Sequence, residues 1–142
     1  MPKAILGYWD HRGLAEPIRY LLHYSKVDFV DKRYTADVAG YEEWQKDKFG
    51  LGLDFPDLPY YIEGDFSLTQ SITIISYLGY RNGLVAKTTE QHRRTIMAEQ
   101  QSVVFRQNLK YFVEGDEYGK IGREEFLKRV QPMFQEWEIS WE

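Results

Sequence analysis

The first apolar run of the chain, residues 4–9 (AILGYW), is rich in strand formers and closes on two aromatics before polarity returns at Asp10. Gly13 and Pro17 then punctuate a change of period. Ile18, Leu21, Leu22 and Ser25 share one helix face, with Pro17 in the first turn, where a missing N–H is harmless. Residues 27–34 read as a second strand. Strand, helix and strand in that order predict parallel neighbours joined by a right-handed crossover. Residues 41–49 are predicted as a short helix and residues 50–59 (GLGLDFPDLP) as irregular. Apolar runs at 59–62 and 66–69 flank "EGD" and predict a hairpin, and residues 70–78 return to helical spacing with Ser71 as candidate N-cap. The pattern over residues 1–82 is βαβ followed by ββα, a four-stranded mixed sheet with helices.

After residue 82 the pattern is helix only. Residues 90–113 form one long candidate helix and residues 123–141 another, in which Leu127, Val130, Phe134, Trp137 and Trp141 recur at three and four residues. Pro132 is expected to kink the second. The predicted organisation is an α/β domain over 1–82, a linker at 83–89 and a partial helical domain over 90–142. The order of the first domain is that of a thioredoxin-like fold.

Composition narrows the chemistry. The chain has 142 residues, 43% apolar and 28% charged, with a net charge of −4 and no Cys. The negative balance disfavours nucleic acid and anionic membranes as partners. No run approaches the ~18 consecutive apolar residues of a membrane span, and Asp10 and Arg12 precede any signal-like hydrophobic core, so a cytoplasmic location is expected. Without Cys there is no disulfide, thiolate metal site or thiol nucleophile, which also argues against a thioredoxin-type redox protein. Any thiol chemistry must arrive on a ligand. An aromatic share of 16%, with eleven Tyr and four Trp, points to rings at the rims of sites or interfaces.

Tyr8 and Trp9 end a strand before a Gly-bearing loop and a helix, where open α/β sheets place ligands, although on composition alone core and rim packing is the better reading. Leu58-Pro59 opens a hairpin strand, and a cis Pro there would turn the Leu58 N–H and C=O outward, able to pair with a peptide backbone. Gln70 and Ser71 open a helix whose free N–H groups and dipole favour a carboxylate, with an ordinary N-cap as the simpler reading. Together they suggest a small anionic peptide ligand.

The segments "ILGYWDHRGLAEPIRYLL", "KFGLGLDFPDLPYYIEGD" and "LTQSITIISYL" resemble the glutathione S-transferases, and "LGLDFP" resembles the mu class. The similarity covers the first domain and continues more weakly through "MAEQQ" and "EEFLKRV". It implies a transferase that adds the glutathione thiolate to small hydrophobic electrophiles, with glutathione as co-substrate, no further cofactor, no metal and a homodimer. By position, Tyr8 matches the residue that bonds the glutathione sulfur. Leu58 matches the backbone partner of the cysteinyl residue, and Pro59 the cis proline. Gln70 and Ser71 match the γ-glutamyl site, and Trp9, Trp44 and Lys48 the glycyl-carboxylate site. Leu14 matches a residue shared by the glutathione and acceptor sites, Asp57 falls in the glutathione site, and Phe55 matches an aromatic inserted into the partner subunit.

The chain departs from this pattern at several positions. Asp57 stands where Asn is frequent, Tyr41 where an Arg is usual and Val104 where a partner Asp is usual, which implies weaker glutathione binding. His11 takes an apolar place beside the acceptor, and Glu114 replaces a late helical Tyr, with Tyr111 one turn earlier. The chain stops at "QEWEISWE", short of the family's later helices, which implies partly uncovered Trp137 and Trp141 and leaves a non-catalytic glutathione- or ligand-binding protein as the alternative. Residues 114–125 partly fit a calcium loop, but Glu114 and Tyr118 suit its first and fifth positions poorly. His11, His23 and His92 lack metal-ligand spacing, and Lys87, His92, Arg93 and Arg94 read as a solvated helix start.

Overall fold

The computed structural model describes residues 3–114 and 122–139. The chain divides into two compact units, Met1–Val85 and Ala86–Glu142.

The first unit contains β1 (Ala4–Trp9), α1 (Glu16–Tyr24), β2 (Phe29–Tyr34), α2 (Val38–Asp47), β3 (Tyr60–Glu63), β4 (Phe66–Thr69) and α3 (Ser71–Arg81), with a single 3-10 turn at Gly13–Ala15 leading into α1. The four strands form one sheet in the order β2-β1-β3-β4. β1 pairs parallel with β2 and antiparallel with β3, which pairs antiparallel with β4. This is the mixed, thioredoxin-like sheet that the hydrophobic pattern predicts.

Alternation along β1 divides the core into two faces. Ala4, Leu6 and Tyr8 are buried on the face shared with Tyr61 and Asp31, their register partners being Tyr61 and Asp31 for Leu6. That face is covered by α1 and α3, which pack on each other and bury Ile18, Leu22, Ile74 and Leu78 completely. Each such aliphatic side chain contributes roughly 1.5–3 kcal/mol on leaving water. On the other face Gly7 lies opposite Tyr60 in the register. A Cβ on Gly7 would sit 2.1 Å from the Tyr60 ring, so only glycine lets that ring lie flat over the sheet. Trp44 of α2 stacks on Tyr60 with centroids 6.1 Å apart and meets Tyr34 edge-on at 5.6 Å.

Element boundaries differ from the pattern-based reading by a residue or more at several ends, chiefly in α2, β2 and α3. α2 begins at Val38 rather than residue 41, because Asp37 caps it by accepting the Gly40 N–H at 2.8 Å. β2 begins at Phe29 rather than residue 27. α3 runs on to Arg81, and its N-cap is Gln70 at φ 70°, so Ser71 is the first helical residue and not the cap.

The second unit contains α4 (Thr89–Glu114) and α5 (Arg123–Ile139), the latter running through Pro132. Gln101 bonds Glu136 at 2.7 Å and Phe105 meets Phe134 edge-on at 5.2 Å, which makes the two helices antiparallel. Val130 is buried.

Candidate active site

The sheet register gathers the three candidate motifs. Gly7 lies opposite Tyr60, and Tyr60 opposite Thr69. The residues just beyond that line are Tyr8 and Trp9 on β1, Leu58 and Pro59 before β3, and Gln70 and Ser71 after β4. All three pairs therefore emerge at one end of the sheet. Tyr34, the register partner of Trp9, brings the loop before α2 to the same end.

Tyr8 is buried, and its hydroxyl oxygen accepts the Leu14 N–H at 3.1 Å. The phenolic proton is thus left to be donated elsewhere. His11 stands edge-on to the Tyr8 ring with centroids 5.3 Å apart. Gly13, at φ 43°, completes the loop, and a Cβ there would lie 2.6 Å from both the Tyr8 and His11 rings. Tyr8, His11, Gly13 and the Leu14 amide therefore form one tightly fitted group, while the Leu14 side chain is exposed.

Trp9 meets Tyr34 edge-on at 6.4 Å and, with His11, Ala36, Asp37 and Tyr41, lines an open cleft of about 340 Å³. The Gly40 N–H and the Thr35 hydroxyl hold the Asp37 carboxyl below its ordinary range, so this wall of the cleft is anionic. Tyr41 is exposed. Trp44 lies in the aromatic stack under the sheet, buried, and Lys48 caps the end of α2 with its ammonium 5.6 Å above the Phe49 ring.

The Leu58–Pro59 peptide bond is cis, and both residues are buried. The Leu58 N–H, read above as a free donor for a peptide, is taken by Asp57 Oδ1 at 2.8 Å. The exposed Asp57 carboxylate thus occupies the donor that a peptide ligand would have to claim. Ser71 is half-buried at the start of α3, which the Gln70 carbonyl opens by accepting the Ile74 N–H at 3.0 Å. Phe55 is 84% exposed and sits at φ 50°.

The remaining sequence-predicted positions lie elsewhere. Tyr111 belongs to α4 in the second unit, and its side chain lies outside the described residues, as does that of Glu114. Val104 is exposed on α4. Residues 115–121 of the candidate calcium loop and Trp141 also lie outside the described residues. Among the described residues no cluster of His, Asp and Glu has the makings of a metal site.

Two features were not anticipated. Tyr34, fully buried, donates to Asp47 at 2.7 Å and sits 3.1 Å from the Tyr60 hydroxyl, with Lys32 over its ring at 4.9 Å. Burial, then the Tyr60 and Asp47 contacts, push its phenol far above the ordinary tyrosine range, and burial raises Tyr60 as well. The second is Arg19, 4% exposed and bonded to Asp31, Glu16 and the His11 carbonyl.

Known proteins place this arrangement. Residues 4–79 match the family model described as glutathione S-transferase, N-terminal domain. A glutathione S-transferase of Dermatophagoides pteronyssinus is 53% identical over 105 residues, covering 72% of this chain and 48% of that protein. Glutathione S-transferase Mu 1 of Oryctolagus cuniculus is 41% identical over 133 residues, covering 92% of this chain and 61% of that protein. The crystal structure of the glutathione S-transferase Blo t 8 superimposes with a TM-score of 0.72 at 36% identity, over 96% of this chain and 60% of that one. The chain thus spans about half to three fifths of the length of the relatives it matches.

Proposed function

This chain belongs to the glutathione S-transferase family, and we propose that it conjugates the glutathione thiolate to small hydrophobic electrophiles, with Tyr8 activating the sulfur. The observation that carries this is the state of the Tyr8 hydroxyl: its oxygen accepts the Leu14 N–H at 3.1 Å. A phenol that already accepts a hydrogen bond is polarised to donate its own proton. A thiol with an ordinary pKa near ~8.5 is mostly protonated at neutral pH. A donor that prefers the thiolate lowers that value and supplies the nucleophile, which a chain without Cys takes from its co-substrate. The sulfur then forms a bond to the electrophilic carbon, and the leaving group, chloride for a chloronitrobenzene, departs.

The rest of the tripeptide is assigned along the same end of the sheet. Leu58 pairs with the cysteinyl backbone once Asp57 releases its N–H, and Pro59 fixes that edge. Gln70 and Ser71 at the start of α3 receive the γ-glutamyl carboxylate, favoured by the helix N-terminus. Trp9, Trp44 and Lys48 receive the glycyl end. His11 and Leu14, in the loop that follows β1, are assigned to the acceptor. Phe55, exposed and aromatic, is the proposed anchor of a homodimer of a cytoplasmic detoxifying enzyme. Conjugation of glutathione to a chloronitrobenzene, followed for the chain and for Tyr8→Phe, tests the reading. Turnover in the first and its loss in the second are expected, and equal rates would sink Tyr8 as the activating group. Retention on immobilised glutathione without turnover would replace the transferase with a binding protein.

A further inference from the structure

Arg19 is a cation on the helix face that α1 turns toward the sheet, and it is almost excluded from solvent, at 4% exposure. Its Nε donates to both carboxylate oxygens of Asp31 on β2, at 3.2 and 3.1 Å. Its Nη1 donates to Glu16 Oε2 at 3.0 Å and to the backbone carbonyl of His11 at 3.1 Å, with the Arg12 carbonyl at 3.4 Å. Nη2 is buried with no hydrogen-bond partner among the described residues, so Nε and Nη1 alone hold the fork. Asp31 also accepts from Arg33 at 2.7 Å, and Arg33 reaches Asp10 at 3.0 Å. Glu16, Arg19, Asp31, Arg33 and Asp10 thus form an alternating chain of charge that leaves α1, crosses β2 and returns to the loop after β1.

That loop carries the groups fitted against Tyr8. Several N–H groups along it and at the start of α1 are already used: Asp10 donates to the Tyr34 carbonyl at 2.6 Å, His11 to the Trp9 carbonyl at 2.7 Å and Glu16 to the Arg12 carbonyl at 2.9 Å. The His11 and Arg12 carbonyls face Arg19. A planar guanidinium reaches a carboxylate and two carbonyls at once, which a point-like ammonium does not. Two residues further on, the Leu14 N–H meets the Tyr8 oxygen.

We propose that Arg19 is a positioning residue for thiol activation: by gripping the His11 and Arg12 carbonyls it fixes the Leu14 N–H against the Tyr8 oxygen, and so sets how strongly the Tyr8 hydroxyl donates. This rests on the reading of Tyr8 as the thiol-activating group. The test uses the whole chain with Arg19→Lys, which keeps the charge and loses the fork, and with Asp31→Asn, which removes one anchor and reads the same signals should Arg19→Lys fail to fold. Three readouts are taken: amide hydrogen exchange at Leu14, the pKa of bound glutathione from thiolate absorbance, and conjugation kinetics. In Arg19→Lys the Leu14 amide exchanges about tenfold faster while the β1–β2 ladder amides stay within about twofold, a local opening and not a global one. The bound-thiol pKa rises about one unit and kcat/KM at neutral pH falls about tenfold, with KM for glutathione within about twofold. Asp31→Asn shifts the same quantities in the same direction by less. Unchanged Leu14 exchange and thiol pKa in a folded variant, or faster exchange spread evenly over the ladder, overturn the proposal. A bound thiolate that Tyr8→Phe abolishes and Arg19→Lys leaves intact overturns the positioning role alone. A wild-type chain that forms no bound thiolate overturns the reading of Tyr8 and this proposal with it.

Discussion

Tyr34→Phe removes a single oxygen from the support beneath α2, and its effect on stability should depend on pH in a way that can be worked out. Near neutral pH the variant loses the bond to Asp47 at 2.7 Å and leaves the Tyr60 hydroxyl without its partner at 3.1 Å. Lost hydrogen bonds of this type cost roughly 1–3 kcal/mol. Asp47 is partly exposed and has Lys32 3.9 Å away, so water and the ammonium recover part of it. A loss of about 1–2 kcal/mol is expected at pH 8. In alkali the sign reverses. Burial holds the phenols of Tyr34, Tyr60 and Tyr61 above their ordinary pKa in the folded chain, whereas in the unfolded chain they ionise near pH ~10. Above that pH the unfolded state binds fewer protons, and stability falls, at a limiting rate of about 1.4 kcal/mol per pH unit for a phenol that stays neutral in the folded chain. The stabilising term is fully present below pH ~10 and is lost as pH rises toward the folded-state values. Tyr34, whose phenol is held far above this range in the folded chain, contributes to that fall, and the variant lacks its contribution. The variant's deficit should therefore shrink by about 1 kcal/mol between pH 10 and pH 11. Urea unfolding, followed by tryptophan fluorescence from pH 8 to pH 11, measures it. A deficit of constant size across that range would refute the account of Tyr34 as a buried, neutral phenol.

Four further outcomes follow from the geometry. Gly7→Ala drives a methyl into the Tyr60 ring at 2.1 Å, and urea unfolding should show a loss of about 3 kcal/mol, at the upper end for overpacking. Gly13→Ala sets a side chain at φ 43° and 2.6 Å from the Tyr8 and His11 rings; kcat/KM for conjugation should fall at least ~10-fold, as small misplacements of reacting groups do, with far-ultraviolet dichroism little changed. Asp57→Asn removes a carboxylate from the Leu58 N–H and from the path of an anionic peptide, so KM for glutathione should drop about threefold, the scale of one partly solvated charge contact. Phe55→Ser takes away the exposed anchor, and analytical ultracentrifugation should show the chain shifted toward monomer.

The order of strands and helices was legible because each element carries its own period. The apolar runs at 4–9, 59–62 and 66–69 and the spacing of Ile18, Leu21 and Leu22 needed no partner to be recognised. The start of α2 was misplaced because its cap, Asp37, precedes a stretch with little apolar spacing, so the side-chain bond to Gly40 decided the boundary where hydrophobicity could not. The convergence of Tyr8, Leu58 and Gln70 could not come from spacing within one segment, since it depends on the register Gly7–Tyr60–Thr69 across three strands; resemblance supplied it. Arg19 was overlooked because an Arg in a helix reads as a solvated charge. The available signal was its place three residues after Glu16 and three before Leu22, on the edge of the apolar face. The Asp57 contact to Leu58 was invisible for a similar reason, as it depends on the side-chain rotamer of one exposed residue.

The account stands on the Tyr8 hydroxyl donating to a thiolate. The pKa of glutathione bound to the chain, titrated through thiolate absorbance in wild type and Tyr8→Phe, tests this directly. The wild type should hold the thiol about two units below its free value, and Tyr8→Phe should return it to within a few tenths of that value, with kcat/KM lower by about 100-fold, the scale of one lost donor to a developing anion. Equal thiol pKa values and equal rates in the two proteins would contradict it.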